Sequence, residues 1–250
     1  MESPLSILRT ENLTKMFGSL IVTNNLNLSI EAEARHAIIG PNGAGKTSLL
    51  HQIAGQLRPT SGKIFLKEQE ITGFAAERVC RMGLARTFQK NSLFLNLSVV
   101  ENVRLAVQQK RGNPLNPFTP AENIAKTNER AREVLDQVHL GADIGRLVRE
   151  LSYGEQRQLE IALALASDPE ILLLDEPTSG MSPTETQRMV QLIQELPRQL
   201  TIIMIEHDMD VVFSVANRIT VLHYGQMLAT GSHEEITRNP AVREVYLGVA

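Results

Sequence analysis

Apolar and polar positions alternate through residues 6–39, where SLIVTNNLNLSIE leads into HAIIG, and this period of two predicts strands. The spacing turns helical in KTSLLHQIAGQL and strand-like again in KIFLKEQEI. From about Ala75 to Asp143 the signals are helical, with TPAENIAKTNERAREVLDQVHL the longest stretch; RGNPLNPFTP, residues 111–120, breaks that region with three prolines. LSYGEQRQLEIALAL, residues 151–165, predicts a further helix. Ser152 and Glu155 have the spacing of a capping box, and Leu159, Ala162, Leu163 and Ala166 recur on one helical face. Two short, continuously apolar runs, EILLLD and TIIMIE, are each followed by a helical pattern, as buried parallel strands are. The pattern predicts an α/β core with a helical insertion near residues 75–165, and no internal repeat.

Composition narrows this picture. A chain of 250 residues suits one large domain or two small ones. Its 42% apolar share supports a sizeable core, and 25 basic against 28 acidic residues argue against disorder and against a general affinity for polyanions. Nucleic acid is therefore not an expected partner. The single Cys80 forms no internal disulfide, which fits a reducing cytoplasm. The start, MESPLSILRTEN, lacks the basic and apolar regions of a signal peptide, and no apolar run approaches the roughly 18 residues of a membrane span. The expectation is a soluble chain.

The strongest chemical signal is GPNGAGKT, residues 40–47, which satisfies G-x-x-x-x-G-K-[ST] between an apolar run and a helix. Gly40, Gly43 and Gly45 let backbone N–H groups crowd around a phosphate, Lys46 adds positive charge, and Thr47 offers a hydroxyl to Mg²⁺. Such a loop needs a carboxylate to complete the metal chemistry. ILLLDEP supplies Asp175 at the end of an apolar strand, positioned for Mg²⁺, and Glu176 next to it, suited to polarise an attacking water. Two more polar residues close strand-like runs: Gln89, able to touch Mg²⁺ and water, and His207, able to hydrogen-bond a γ-phosphate.

In this order, GPNGAGKT, Gln89, LSYGEQ, ILLLDEP and His207 resemble an ATP-binding cassette ATPase over nearly the whole chain. The resemblance implies one cassette domain over residues 1–250: a P-loop NTPase core with an antiparallel β region near the N-terminus and a helical subdomain at about 90–165. It implies ATP held by Gly40, Pro41, Asn42, Gly43, Ala44, Gly45, Lys46, Thr47 and Ser48, with Phe17 stacked on adenine. Catalysis falls to Glu176, His207 and Gln89, and Mg²⁺ to Thr47, Gln89 and Asp175. LSYGEQ becomes a signature in which Ser152, Tyr153, Gly154 and Glu155 meet the γ-phosphate of ATP bound to another copy, so a capped helix start serves as an anion site across a dimer.

Tyr153 in the signature, SGMSP after the acidic strand, and the ending NPAVREVYLGVA resemble the ATP-binding subunits of importers for branched-chain and other hydrophobic amino acids, with amide and urea importers as near relatives. Ser182 stands where cassettes often carry an aspartate. The implied partners are a second cassette, identical or paralogous, transmembrane permease subunits and, indirectly, a solute-binding protein. The implied location is the cytoplasmic face of the cell membrane, held peripherally. KNSLFLNL, Lys90–Leu97, offers apolar residues to a permease, or else is a partly buried loop. A non-transport cassette is the rival class. The DNA-maintenance type needs a long coiled coil absent here, and the translation type generally carries two motif sets where this chain has one; iron–sulfur assembly stays open.

Overall fold

The computed structural model describes residues 6–87, 93–111 and 121–247. In chain order, β1 (Ser6–Phe17), β2 (Leu20–Leu26), β3 (Ser29–Glu31) and β4 (Arg35–Ile39) lead into α1 (Lys46–Ile53). Next come β5 (Ser61–Leu66), β6 (Gln69–Glu70), α2 (Ala76–Arg81) and β7 (Leu84–Arg86). Helices α3 (Val99–Arg111), α4 (Ala121–Gln137) and α5 (Tyr153–Leu165) succeed them. The chain then runs through β8 (Ile171–Asp175), α6 (Pro183–Glu195), β9 (Thr201–Ile205), α7 (Met209–Val215), β10 (Arg218–His223), β11 (Gln226–Gly231), α8 (His233–Arg238) and α9 (Pro240–Leu247).

Two sheets organise these elements. An antiparallel sheet of order β2-β1-β5-β6, with β3 also paired to β1, uses the long β1 as its centre. The second sheet, β11-β10-β4-β9-β8-β7, is parallel except at β11. Its central strands β8 and β9 are buried at every position, and apolar apart from the terminal Asp175 and Thr201, because both faces are covered. Leu172 and Leu174 pack on one side with α3, α4, α5 and α6, whereas Ile171 and Leu173 pack on the other with α1 and the antiparallel sheet.

The structure departs from the sequence pattern in two places. KIFLKEQEI is a hairpin, because Lys67 turns the chain at φ 55° and Phe65 pairs with Glu70. The helical region after Ala75 is interrupted by β7, a short edge strand parallel to β8. The three-proline stretch at 112–120 lies outside the described residues.

Beyond β7, α3, α4 and α5 pack on one another. Asp168, in the left-handed region at φ 46°, accepts from Lys110 Nζ and Arg130 Nη2, each at 2.6 Å, and so ties α3 and α4 to the end of α5. The loop before α5 is fixed by main-chain bonds from Val99 to Arg146 O and from Val148 to Leu97 O. Among the described residues, no helix is long and apolar enough to cross a membrane.

Candidate nucleotide site

The predicted residues gather at the carboxyl ends of β4, β8 and β9, where open α/β sheets place their ligands. The loop after β4 turns into α1 through Gly45 at φ 97°. A side chain there would put Cβ 2.3 Å from Val22 O, so strand β2 presses on the loop from behind. Gly40 is equally confined, its added Cβ falling 2.3 Å from Leu222 O. Asn42 and Gly43 face solvent, Pro41, Thr47 and Ser48 are half-buried, and Ala44 is buried.

Lys46 folds back on its own loop, donating to Gly40 O at 2.7 Å and Pro41 O at 3.1 Å. Burial lowers its pKa, opposed by the nearby carboxylates of Glu176 and Asp175. Those two acids differ in environment. Asp175 is buried and its Oδ2 accepts from Arg86 Nη2 at 2.7 Å, while Oδ1 has no hydrogen-bond partner among the described residues. Burial pushes the Asp175 carboxyl up, and Arg86 counters part of that rise. Glu176 comes next, in the left-handed region at φ 50°, a conformation costly for a residue with a side chain and concentrated at functional sites. Its Oε1 lies 2.8 Å from His207 Nε2, so the acid after β8 meets the histidine after β9.

The signature lies on α5. Ser152 caps it: Glu155 N donates to Ser152 Oγ at 3.2 Å and Ser152 N donates to Glu155 Oε2 at 2.6 Å. Tyr153 is exposed, its hydroxyl donating to Ser179 O at 3.2 Å and accepting from Arg157 Nη2 at 2.8 Å. Gly154 N donates to Glu185 Oε1 at 3.1 Å, and the same carboxylate accepts from Ser182 N and Ser182 Oγ. Ser182 also caps α6. Among the described residues, no hydrogen bond or ion pair joins residues 152–155 to residues 40–48.

Phe17, at the tip of β1, is 52% exposed, with Lys15 Nζ 4.9 Å from its ring centroid. It is not a core residue. Gln89 lies outside the described residues, as do 90–92 of the predicted docking segment; within the rest of it, Phe94, Leu95 and Leu97 are exposed. Sequence reading missed Arg86, Glu185 and Glu206, the last a buried carboxylate between β9 and His207. Their positions beside Thr87, in the first turn of α6 and next to His207 carry no motif of their own.

Comparison with known proteins decides the family, because residues 23–179 match the ABC transporter family. This chain belongs to that family. It is a nucleotide-binding ATPase of the cassette type, and its residues 226–250 further match the family described as branched-chain amino acid ATP-binding cassette transporter. The cassette is 39% identical to the high-affinity branched-chain amino acid transport ATP-binding protein LivG of Escherichia coli K12, over the full length of both chains. It is 40% identical to BraF of Pseudomonas aeruginosa, a protein of the same description, over 98% of each. Among solved structures, the ADP conformation of the cassette MJ1267 superposes with a TM-score of 0.84 at 27% identity, covering 98% of this chain and 99% of that one.

Proposed function

We propose that this cassette hydrolyses ATP to power uptake of branched-chain or other hydrophobic amino acids, working as one of two cassettes on the cytoplasmic face of a membrane beneath permease subunits. The observation that carries the chemistry is the 2.8 Å contact between Glu176 and His207 just beyond β8 and β9, with Asp175 at the end of β8 and Lys46 nearby at the start of α1. Glu176 acts as the base that takes the proton of the attacking water, and His207 orients it and contacts the γ-phosphate. Lys46 exchanges its two loop carbonyls for phosphate oxygens, and Phe17 stacks on adenine. Gln89 touches Mg²⁺ and the attacking water, and the exposed Phe94, Leu95 and Leu97 offer an apolar surface to the permease.

The buried, orphaned Oδ1 of Asp175 fits a divalent cation, which in nucleotide sites takes one or two carboxylates plus phosphates. Asp175, Thr47 and Gln89 would hold Mg²⁺, which supplies charge neutralisation at the phosphates. Ser152 Oγ accepts from Glu155 N and keeps its proton to donate to a phosphate of the opposite cassette. The lack of any polar link between signature and phosphate loop among the described residues supports that division.

Solute choice rests on the match at residues 226–250 and on the LivG and BraF likeness. Deleting the gene in its native cell and measuring uptake of labelled leucine, isoleucine, valine, urea and short amides tests it. Loss confined to the amino acids is expected; loss confined to urea or amides would assign the cassette to that importer class, and unchanged uptake of all would remove the import reading.

A further inference from the structure

Glu206 is a buried acid that none of the roles above employs. Its carboxylate lies where two catalytic loops meet. Oε1 accepts from Thr178 N at 3.0 Å and from Thr178 Oγ1, and Oε2 accepts from His207 N at 2.9 Å. Thr178 is two residues beyond Glu176, and His207 is the residue in contact with Glu176. One carboxylate thus grips the backbone on both sides of the Glu176–His207 contact, and only 3% of Glu206 is exposed. Water cannot readily replace these bonds.

We propose that Glu206 is a positioning residue that sets the Glu176–His207 pair by holding the backbone of Thr178 and of His207 in one register. This rests on the assignment of Glu176 and His207 to catalysis. Glu176 sits at φ 50°, a conformation that persists only when its surroundings over-determine it. The main-chain bond from Glu176 N to Ile205 O fixes the start of the loop, and Glu206 fixes its continuation at Thr178. The requirement is chemical as well as steric. Both oxygens must accept, because Thr178 N and His207 N are donors that cannot reverse. A glutamine has the same shape but turns an N–H₂ group toward one of them, leaving a buried donor facing a donor.

Steady-state ATP hydrolysis by the full chain, together with binding of a fluorescent ATP analogue, tests this. Glu206→Gln is expected to lower kcat about tenfold to a hundredfold, as small displacements of reacting groups do, with nucleotide affinity held within about twofold. Thr178→Val removes one bond to Oε1 without placing a donor against it. It should lower kcat less, and Thr178→Ser, which keeps the hydroxyl, should recover most of the loss. In Glu206→Gln/Thr178→Val the two effects should fall short of additive, since both break the same contact. Full kcat in Glu206→Gln would overturn the proposal. So would equal losses of kcat and nucleotide affinity, or kcat unaffected by Thr178→Val, a readout that holds even where the glutamine variant folds poorly. Glu176→Gln run alongside separates the two levels: if it retains turnover, the catalytic assignment itself fails, whereas slow Glu176→Gln beside fast Glu206→Gln removes only the positioning role.

Discussion

At the scale of single residues, the polar groups picked from sequence and those the fold recruits have different origins. Lys46, Asp175, Glu176 and His207 emerge directly from motifs, because each sits near a strand end whose apolar run marks it. Arg86, Glu185 and Glu206 were not legible, because their meaning exists only in contacts made between elements: Arg86 of β7 with Asp175 of β8, Glu185 of α6 with Gly154 of α5, Glu206 with Thr178. A further polar residue, the buried His36, gives a test of stability. His36 Nε2 lies 2.8 Å from Thr220 Oγ1, and burial, helped by Arg218, lowers its pKa from 6.5 to about 4. The folded protein therefore keeps His36 neutral where the unfolded chain takes up a proton, so stability is lost as pH falls from about 6.5 toward 4. The full loss is about 3 kcal/mol at roughly 1.36 kcal/mol per pH unit. Thermal unfolding from pH 7.5 to 4.5 should show a shallower decline for His36→Gln than for wild type; equal slopes would mean that other groups govern acid sensitivity.

At the scale of elements, periodicity served where burial is one-sided or complete and failed where local polarity cuts a run. β8 and β9 are buried at every position, and their uniform apolar character announced parallel strands. The Lys67–Glu68 corner inside KIFLKEQEI was hidden by the alternation on either side of it. In α5 the capping box appeared as read, but of the predicted stripe Leu163 is only partly buried, while Ile161, Ala164 and Leu165 are buried besides Leu159, Ala162 and Ala166, since both the helical packing and the sheet enclose its second half. The loop between β4 and α1, proposed above to bind the nucleotide, has a backbone shaped by neighbours outside it. Gly45→Ala would force Cβ onto Val22 O and would strain the left-handed turn by a further 1–2 kcal/mol, roughly. The expected result is at least about a tenfold loss of affinity for an ATP analogue. Near-normal affinity would show that the loop moves away from β2 without cost.

At the scale of the whole molecule, the proposed phosphate loop and signature of one chain share no hydrogen bond or ion pair among the described residues. The phosphate loop, Glu176 and His207 converge at the strand ends, while the polar contacts of Ser152–Glu155 run to Arg146, Ser179 and Glu185. The order of motifs announced the family, but no property of one sequence says which copy completes which site. The direct measurement is ATP hydrolysis by mixed mutants in a preparation where the chain forms homodimers. Lys46→Ala damages the phosphate loop and Ser152→Arg the signature, so either homodimer has two defective sites. A heterodimer unites both lesions in one site and leaves the other whole, provided each site takes its signature from the opposite chain. Hydrolysis in the mixture should then exceed that of either mutant, while a tethered dimer carrying both substitutions in one half, with one lesion per site, should stay inactive. Heterodimers that form yet hydrolyse no faster than the parents, alongside a tethered wild-type/Lys46→Ala dimer that is active with one intact loop, would contradict the shared site.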